Sequence, residues 1–189
     1  MKHNAIYRKK RFTTKEIVFC GLFAALVAVG AFLKIPFPLV PLTLQPLFAM
    51  LAGLLLGPEL GALSITVYIL TGLAGVPVFT GGGGPGYIFN TTFGYLIGFV
   101  AGAWCAGKIA ETGGSEPSYK RLLCACVAFM AVTYSIGMVY LWGITNLYLK
   151  NDFGLKSVLI YGFCMTAPSD VVKVFIAAAL AQRIKKTRA

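Results

Sequence analysis

Charge, and acidic charge above all, is what this sequence lacks. Six residues are Asp or Glu, and 12% of the 189 residues are charged, about half the usual share in a soluble domain. No charged residue lies between Glu59 and Lys108. So little charge cannot cover a soluble globule of this size, and a 58% apolar composition excludes a disordered chain. Histidine is nearly missing: His3, in the tail, is the only one. That leaves no histidine-based catalytic constellation and no histidine metal set. No Walker sequence is present either. The five cysteines are odd in number and sit in or beside apolar runs. Cys124 and Cys126, two apart on a helix, would point about 200° apart, so all five read as small packing residues.

What is there is long apolar segments with basic ends. The mean hydropathy is +0.79 and the net charge +11. The basic residues crowd the termini: Lys2, Arg8, Lys9, Lys10, Arg11 and Lys15 open the chain, and Arg183, Lys185, Lys186 and Arg188 close it. Such flanks fit the edges of membrane spans and the lipid headgroups beside them, not a nucleic-acid surface.

A membrane helix needs about 20 mostly apolar residues. The pattern predicts an all-α integral membrane protein forming a single domain of six transmembrane helices, at about 14–33, 43–56, 60–74, 88–108, 122–149 and 157–182. Residues 1–13 form a basic tail. The first run, uncharged over 17–33, reads as a retained helix, since it exceeds a signal-peptide core and lacks a cleavage pattern. The prolines 36, 38, 41 and 46 make a stiff loop after it. The second and third helices are short enough to be a re-entrant pair. Lys108, Lys120 and Arg121 join the two termini on one side, leaving Lys34, Lys150 and Lys156 on the other. This excess predicts both termini cytoplasmic, in a multi-pass protein of the cell membrane.

Asp170 and Lys173 are the sharpest chemical feature. Each costs roughly 2.5–3.5 kcal/mol at the centre of a span, and three residues apart they share a helix face. They read either as a local ion pair or as a polar ligand site facing the bundle interior. Pro168 just before them frees a backbone carbonyl. Gly81, Gly83 and Gly86 spell G-x-G-x-x-G, but no βαβ unit surrounds them. The loop reads as a plain outer loop or as a mobile cover over a ligand, with Gly84 approaching closely and Tyr87 and Asn90 supplying a ring and an amide. Gly21, Ala24, Ala25 and Ala28 give the first helix small-residue stripes, suited to packing within the bundle or to docking another protein. Trp142, Tyr140 and Tyr148 read as an interfacial belt. With no internal repeat of the kind alternating-access carriers use, a substrate binder energised by partner subunits fits best.

These stretches resemble the BioY family, the biotin-specific S components of energy-coupling-factor transporters. The likeness is carried by 35–45 (IPFPLVPLTLQ), 52–62 (AGLLLGPELGA), 68–79 (YILTGLAGVPVF), the glycine loop, 94–99 (GYLIGF) and Pro168-x-Asp170-x-x-Lys173. The family's Gly-Pro-Thr-Gly-Gly-Tyr is replaced here by Asn90-Thr91-Thr92-Phe93-Gly94-Tyr95. The resemblance implies the six-helix S-component fold, a biotin-binding protein without catalytic activity, metal or cofactor, and assembly with a transmembrane coupling subunit and two ATPase subunits. It implies docking of the coupling subunit at Gly21, Ala24, Ala25 and Ala28. Asp170 and Lys173 would meet biotin's ureido group or carboxylate, in either orientation. An S component for another vitamin, or a solitary oligomeric carrier, is the alternative.

Overall fold

The structure is a computed structural model, and it describes residues 12–36, 39–112, 118–150 and 154–188. Residues 1–11 of the expected basic tail and 113–117 of the expected linker lie outside the described residues. Among the described residues, seven α-helices carry the fold: α1 (Thr14–Phe32), α2 (Gln45–Leu56), α3 (Pro58–Leu73), α4 (Phe93–Glu111), α5 (Tyr119–Gly143), α6 (Leu155–Leu159) and α7 (Ala167–Arg188). Strands β1 (Lys34–Ile35) and β2 (Leu42–Thr43) pair antiparallel between α1 and α2. A short 3-10 turn covers Pro85–Phe89, and π turns cover Ile144–Tyr148 and Ile160–Cys164.

Local chemistry explains the ends. Thr13 and Glu16 form a reciprocal capping box at the start of α1, with Thr13 N–H donating to the Glu16 carboxylate at 2.7 Å and satisfying amides that have no helical acceptor. Gly57, at φ +84°, adopts a conformation costly for other residues, and Pro58 opens α3 where its missing N–H costs nothing. This sharp turn separates two helices that would otherwise run on. It packs against Gly107 and Glu111 at the end of α4, and Lys185 of α7 interacts with Glu111 at the same end. Lys34 and Thr80 meet through a hydrogen bond from the Lys34 ammonium to the Thr80 carbonyl.

Close backbone approach sets the main seam. Gly94, Gly98 and Gly102 recur every fourth residue on α4 and face Tyr140, Thr133 and Phe129 of the antiparallel α5. A Cβ on Gly98 would lie 2.9 Å from both the Thr133 Cα and its carbonyl oxygen. At Gly98 and Gly102 the α5 backbone comes against α4, while Gly94 makes room for the Tyr140 side chain; close approach over small residues drives helix association where no hydrophobic effect operates. The Thr133 hydroxyl also donates to the Gly98 carbonyl, at 3.3 Å.

Among the described residues, four stretches are long and apolar enough to cross a membrane: Thr14–Phe32, Phe93–Glu111, Tyr119–Tyr148 and Leu155–Thr187. The 12 residues of α2 and 16 of α3 rise about 18 and 24 Å, short of a hydrocarbon core of about 30 Å. The span expected over 88–108 starts later, at Phe93, because 85–89 coil into the 3-10 turn. The span expected over 157–182 corresponds to the apolar stretch Leu155–Thr187, which carries a π turn at Ile160–Cys164. Pro168 lies in the first turn of α7, just past that π turn. The five cysteines divide: Cys20 and Cys126 are buried, Cys105 is half-buried, and Cys124 and Cys164 are exposed.

Gly98→Leu should overpack this seam and destabilise the protein by about 1–3 kcal/mol. Gly21→Ala, at an exposed site with nothing within 4 Å of the added Cβ, should not. Thermal unfolding of the two purified variants in detergent checks this, and equal melting temperatures would refute the role of the seam.

Candidate functional site: a buried ion pair facing a polar cavity

Asp170 lies in the first turn of α7, just past the π turn at Ile160–Cys164. Its backbone N–H is held by the Thr166 carbonyl at 3.2 Å. One turn further, Lys173 donates from Nζ to Asp170 Oδ1 at 2.6 Å and to Ser169 Oγ at 3.3 Å. Both ions are buried, each 6% exposed.

Tyr134 of α5 completes the cluster. Its hydroxyl donates to Asp170 Oδ2 at 2.5 Å, and the Thr166 hydroxyl lies 2.9 Å away. A phenol has one proton. With that proton on Asp170, only Thr166 can donate in the second contact, and its single proton is shared with the Phe163 carbonyl at 3.2 Å. The Tyr134 ring is held edge-to-face by Phe163, at 4.9 Å between centroids, and by Tyr95, at 6.3 Å. Tyr95 in turn donates to the Gly162 carbonyl inside the π turn, at 2.9 Å.

These groups face a narrow cavity. Its opposite wall is a second polar network. Gln45 Nε2 donates to the Tyr68 hydroxyl at 2.7 Å, and Tyr68 passes its own proton to the Val78 carbonyl at 3.1 Å. Thr43 lies beside Gln45 Oε1 at 3.4 Å. Phe79, 2% exposed, seats the glycine loop: its ring fills the space left by Gly72 and stands edge-on to Tyr68 at 5.4 Å. Tyr87 packs on Phe79 at 4.4 Å and shares its hydroxyl with Thr80 at 2.9 Å and Thr92 at 3.2 Å. Phe99 and Met130 supply apolar lining.

The ion pair leaves defined capacity. A carboxylate offers about four lone-pair positions and an ammonium three protons. Lys173 and Tyr134 take one position on each Asp170 oxygen, so each oxygen can accept one more donor. Lys173 keeps one N–H. The wall therefore suits a neutral group that offers N–H donors beside an acceptor oxygen, while the apolar lining suits a hydrocarbon frame.

Of the expected site residues, Asp170, Lys173 and Tyr87 line this cavity. Gly84 and Asn90 are not among its lining residues. Gly84, at φ +102°, donates its N–H to the Gly72 carbonyl at 2.8 Å, which shapes the loop. Asn90 Oδ1 accepts from the Thr92 amide at 3.0 Å and hydroxyl at 2.8 Å, which orders the entry to α4. The small residues of α1 also divide. Ala24 is buried and Ala28 half-buried against the core, whereas Gly21 and Ala25 face outward. Tyr140 donates to the Ile88 carbonyl and Tyr148 stacks on Phe89 at 4.7 Å; Trp142 is exposed.

Sequence reasoning missed Tyr134, Thr166, Gln45, Tyr68 and Thr43. A polar run such as Thr133-Tyr134-Ser135 inside an apolar span is a usable signal, but a hydroxyl is cheap enough to bury that it stands out far less than an ion.

The fold is that of a membrane S component. A crystal structure at 2.1 Å of the S-component for biotin from an ECF-type ABC transporter superposes with a TM-score of 0.80 at 24% identity, covering 93% of this chain and 95% of that one. The BioY family model matches residues 4–189, and the chain belongs to the BioY family. The "Probable biotin transporter BioY" of Lysinibacillus sphaericus is 41% identical over 177 residues, covering 94% of this chain and 90% of that protein. The "Biotin transporter BioY" of Thermotoga maritima is 34% identical over 173 residues, covering 91% and 96%.

Proposed function

We propose that this protein binds biotin in the cavity above Asp170 and Lys173 and is the substrate-binding, non-enzymatic subunit of an ATP-driven uptake system of the energy-coupling-factor type. The observation that carries the reading is the ion pair itself, buried just past a π turn yet left with free acceptor positions and one free N–H. Membership in a family whose relatives are named biotin transporters supports it. Biotin's cyclic urea sets an N–H next to a carbonyl. Asp170 accepts from the first and Lys173 donates to the second, the bicycle lies on Phe99 and Met130, and the carboxylate chain points to the hydroxyls of Thr80, Tyr87 and Thr92.

Removing one charge-assisted hydrogen bond costs roughly 1.5–3 kcal/mol, or one to two decades in affinity. Asp170→Asn and Lys173→Ala should each raise the biotin Kd about 10- to 100-fold in calorimetric titrations. Wild-type affinity in both folded variants would refute the site. Lys173→Ala should weaken biotin and its methyl ester equally, because the ester leaves the urea intact. A loss confined to the free acid would put the carboxylate at Lys173.

The proposed topology is six membrane passes in the cell membrane, with α2 and α3 as the short second and third. Both termini are cytoplasmic, as the excess of Lys and Arg on their side supports. On a cysteine-free background, Val76→Cys should react with an impermeant thiol reagent added outside intact cells. Thr112→Cys should react only after permeabilisation, and the reverse pattern overturns the topology.

The proposed partners are a transmembrane coupling subunit and two ATPases. The outward pair Gly21 and Ala25 is the docking candidate, since small side chains let another helix approach closely. Ala25→Trp should abolish co-purification with the coupling subunit while biotin affinity stays at the wild-type value. Ala24→Trp should instead overpack the core and lose stability and binding together. Unimpaired co-purification of Ala25→Trp rules out docking at this face.

A further inference from the structure

Tyr134 stands between the ligand cavity and the outer surface of the bundle: Met130, Tyr134 and Asp170 line the cavity on one side and a broad groove between α5 and α7 on the other. That groove is apolar, walled by Leu123, Val127, Val171 and Phe175. Asp170 therefore lies between the cavity and this groove, and the Tyr134 hydroxyl donates to its Oδ2 at 2.5 Å.

We infer that Tyr134 is a positioning residue for ligand binding: it holds the Asp170 carboxylate in the rotamer that keeps its free lone pairs turned into the cavity. This rests on the reading of Asp170 as a ligand-binding group. The geometry leaves the carboxylate no freedom. Oδ1 is drawn along its own helix by Lys173 at 2.6 Å, and Oδ2 is drawn across to α5 by Tyr134. Two donors on opposite oxygens, from two helices, determine both the torsion and the tilt of the carboxyl plane. With Lys173 alone the carboxylate rotates about its single remaining bond and spreads its free lone pairs over several directions. Tyr134 is itself doubly braced, by the Thr166 hydroxyl at 2.9 Å and by the Phe163 and Tyr95 rings. No titratable side chain of α2 enters this cluster; the ionisable groups around Asp170 are Lys173 of α7, Tyr134 of α5 and Tyr95 of α4.

Tyr134→Phe isolates the hydroxyl, because the ring and its packing stay. The expected result is about a tenfold rise in the biotin Kd, equivalent to the loss of one hydrogen bond. A packing role and a positioning role part company in a double-mutant cycle. In the Asp170→Asn background the carboxylate that Tyr134 holds is gone, so adding Tyr134→Phe should change affinity less than twofold. An equal tenfold loss in both backgrounds, or no loss in either, overturns the inference. A second readout needs no ligand. With ring-labelled tyrosine, the phenol C–O infrared band that disappears in Tyr134→Phe should shift in Asp170→Asn and keep its position in Gly21→Ala. A band that does not move in Asp170→Asn shows that the bond to the carboxylate is absent and likewise overturns the inference. If the wild-type protein binds no biotin, the functional reading fails by itself, and the infrared comparison still decides the role of Tyr134.

Discussion

An ammonium and a carboxylate 2.6 Å apart and almost fully buried are the constraint to which the surrounding structure answers. Neither ion is tolerable in a bundle of membrane-length helices unless the other is present and their remaining hydrogen-bonding capacity is met. Removing one partner of such a pair typically costs about 3–5 kcal/mol, because the other is left as a buried charge. The chain meets this demand just past a π turn, at Ile160–Cys164, in its last long apolar stretch. Thr166 and Phe163, beside that turn, lie against Tyr134.

The seam between α4 and α5 makes that cluster stable. Glycines at 98 and 102 bring the α5 backbone against α4, so the adjacent residues Thr133 and Tyr134 are placed by backbone packing. Across the cavity, Gln45, Tyr68 and the Val78 carbonyl tie α2 and α3 to the loop that carries the glycines. Phe79, Tyr87 and Thr80 continue the connection to the Lys34 ammonium beyond. The cavity thus has one charged wall built on the C-terminal half of the chain and one neutral, hydroxyl-rich wall built on the N-terminal half. A ligand with a polar head and an apolar frame touches both.

Much of this was legible in the order of residues. The scarcity of acid and the charge-free stretch from 60 to 107 determine a membrane solvent, because burial in lipid is the one environment that tolerates such a composition. Ranges for the first, fifth and last long helices follow from apolar length and from Gly and Pro at their ends. The pair at 170 and 173 stands out because two ions in one apolar span carry a cost that demands an explanation. What remained hidden was of another kind. Gly84 and Asn90 look like ligand groups in a loop, yet the Gly84 N–H and the Asn90 Oδ1 are engaged in shaping it. Ala24 and Ala25 are the same residue type side by side, and one faces the core while the other faces out.

The division has a physical cause. A sequence alone determines properties that scale with composition or local geometry: hydrophobic length, basic flanks, the turn at Gly57-Pro58, the capping box at Thr13 and Glu16, and the i, i+3 spacing that lets Lys173 reach Asp170. Partners across helices depend on crossing geometry and rotation about each helix axis, which no local pattern encodes. Tyr134 meets Asp170 across 36 residues, and Gln45 meets Tyr68 across 23. Only the packed bundle decided that the buried charge has a phenol on its second oxygen, and that an amide and a tyrosine stand on the facing wall.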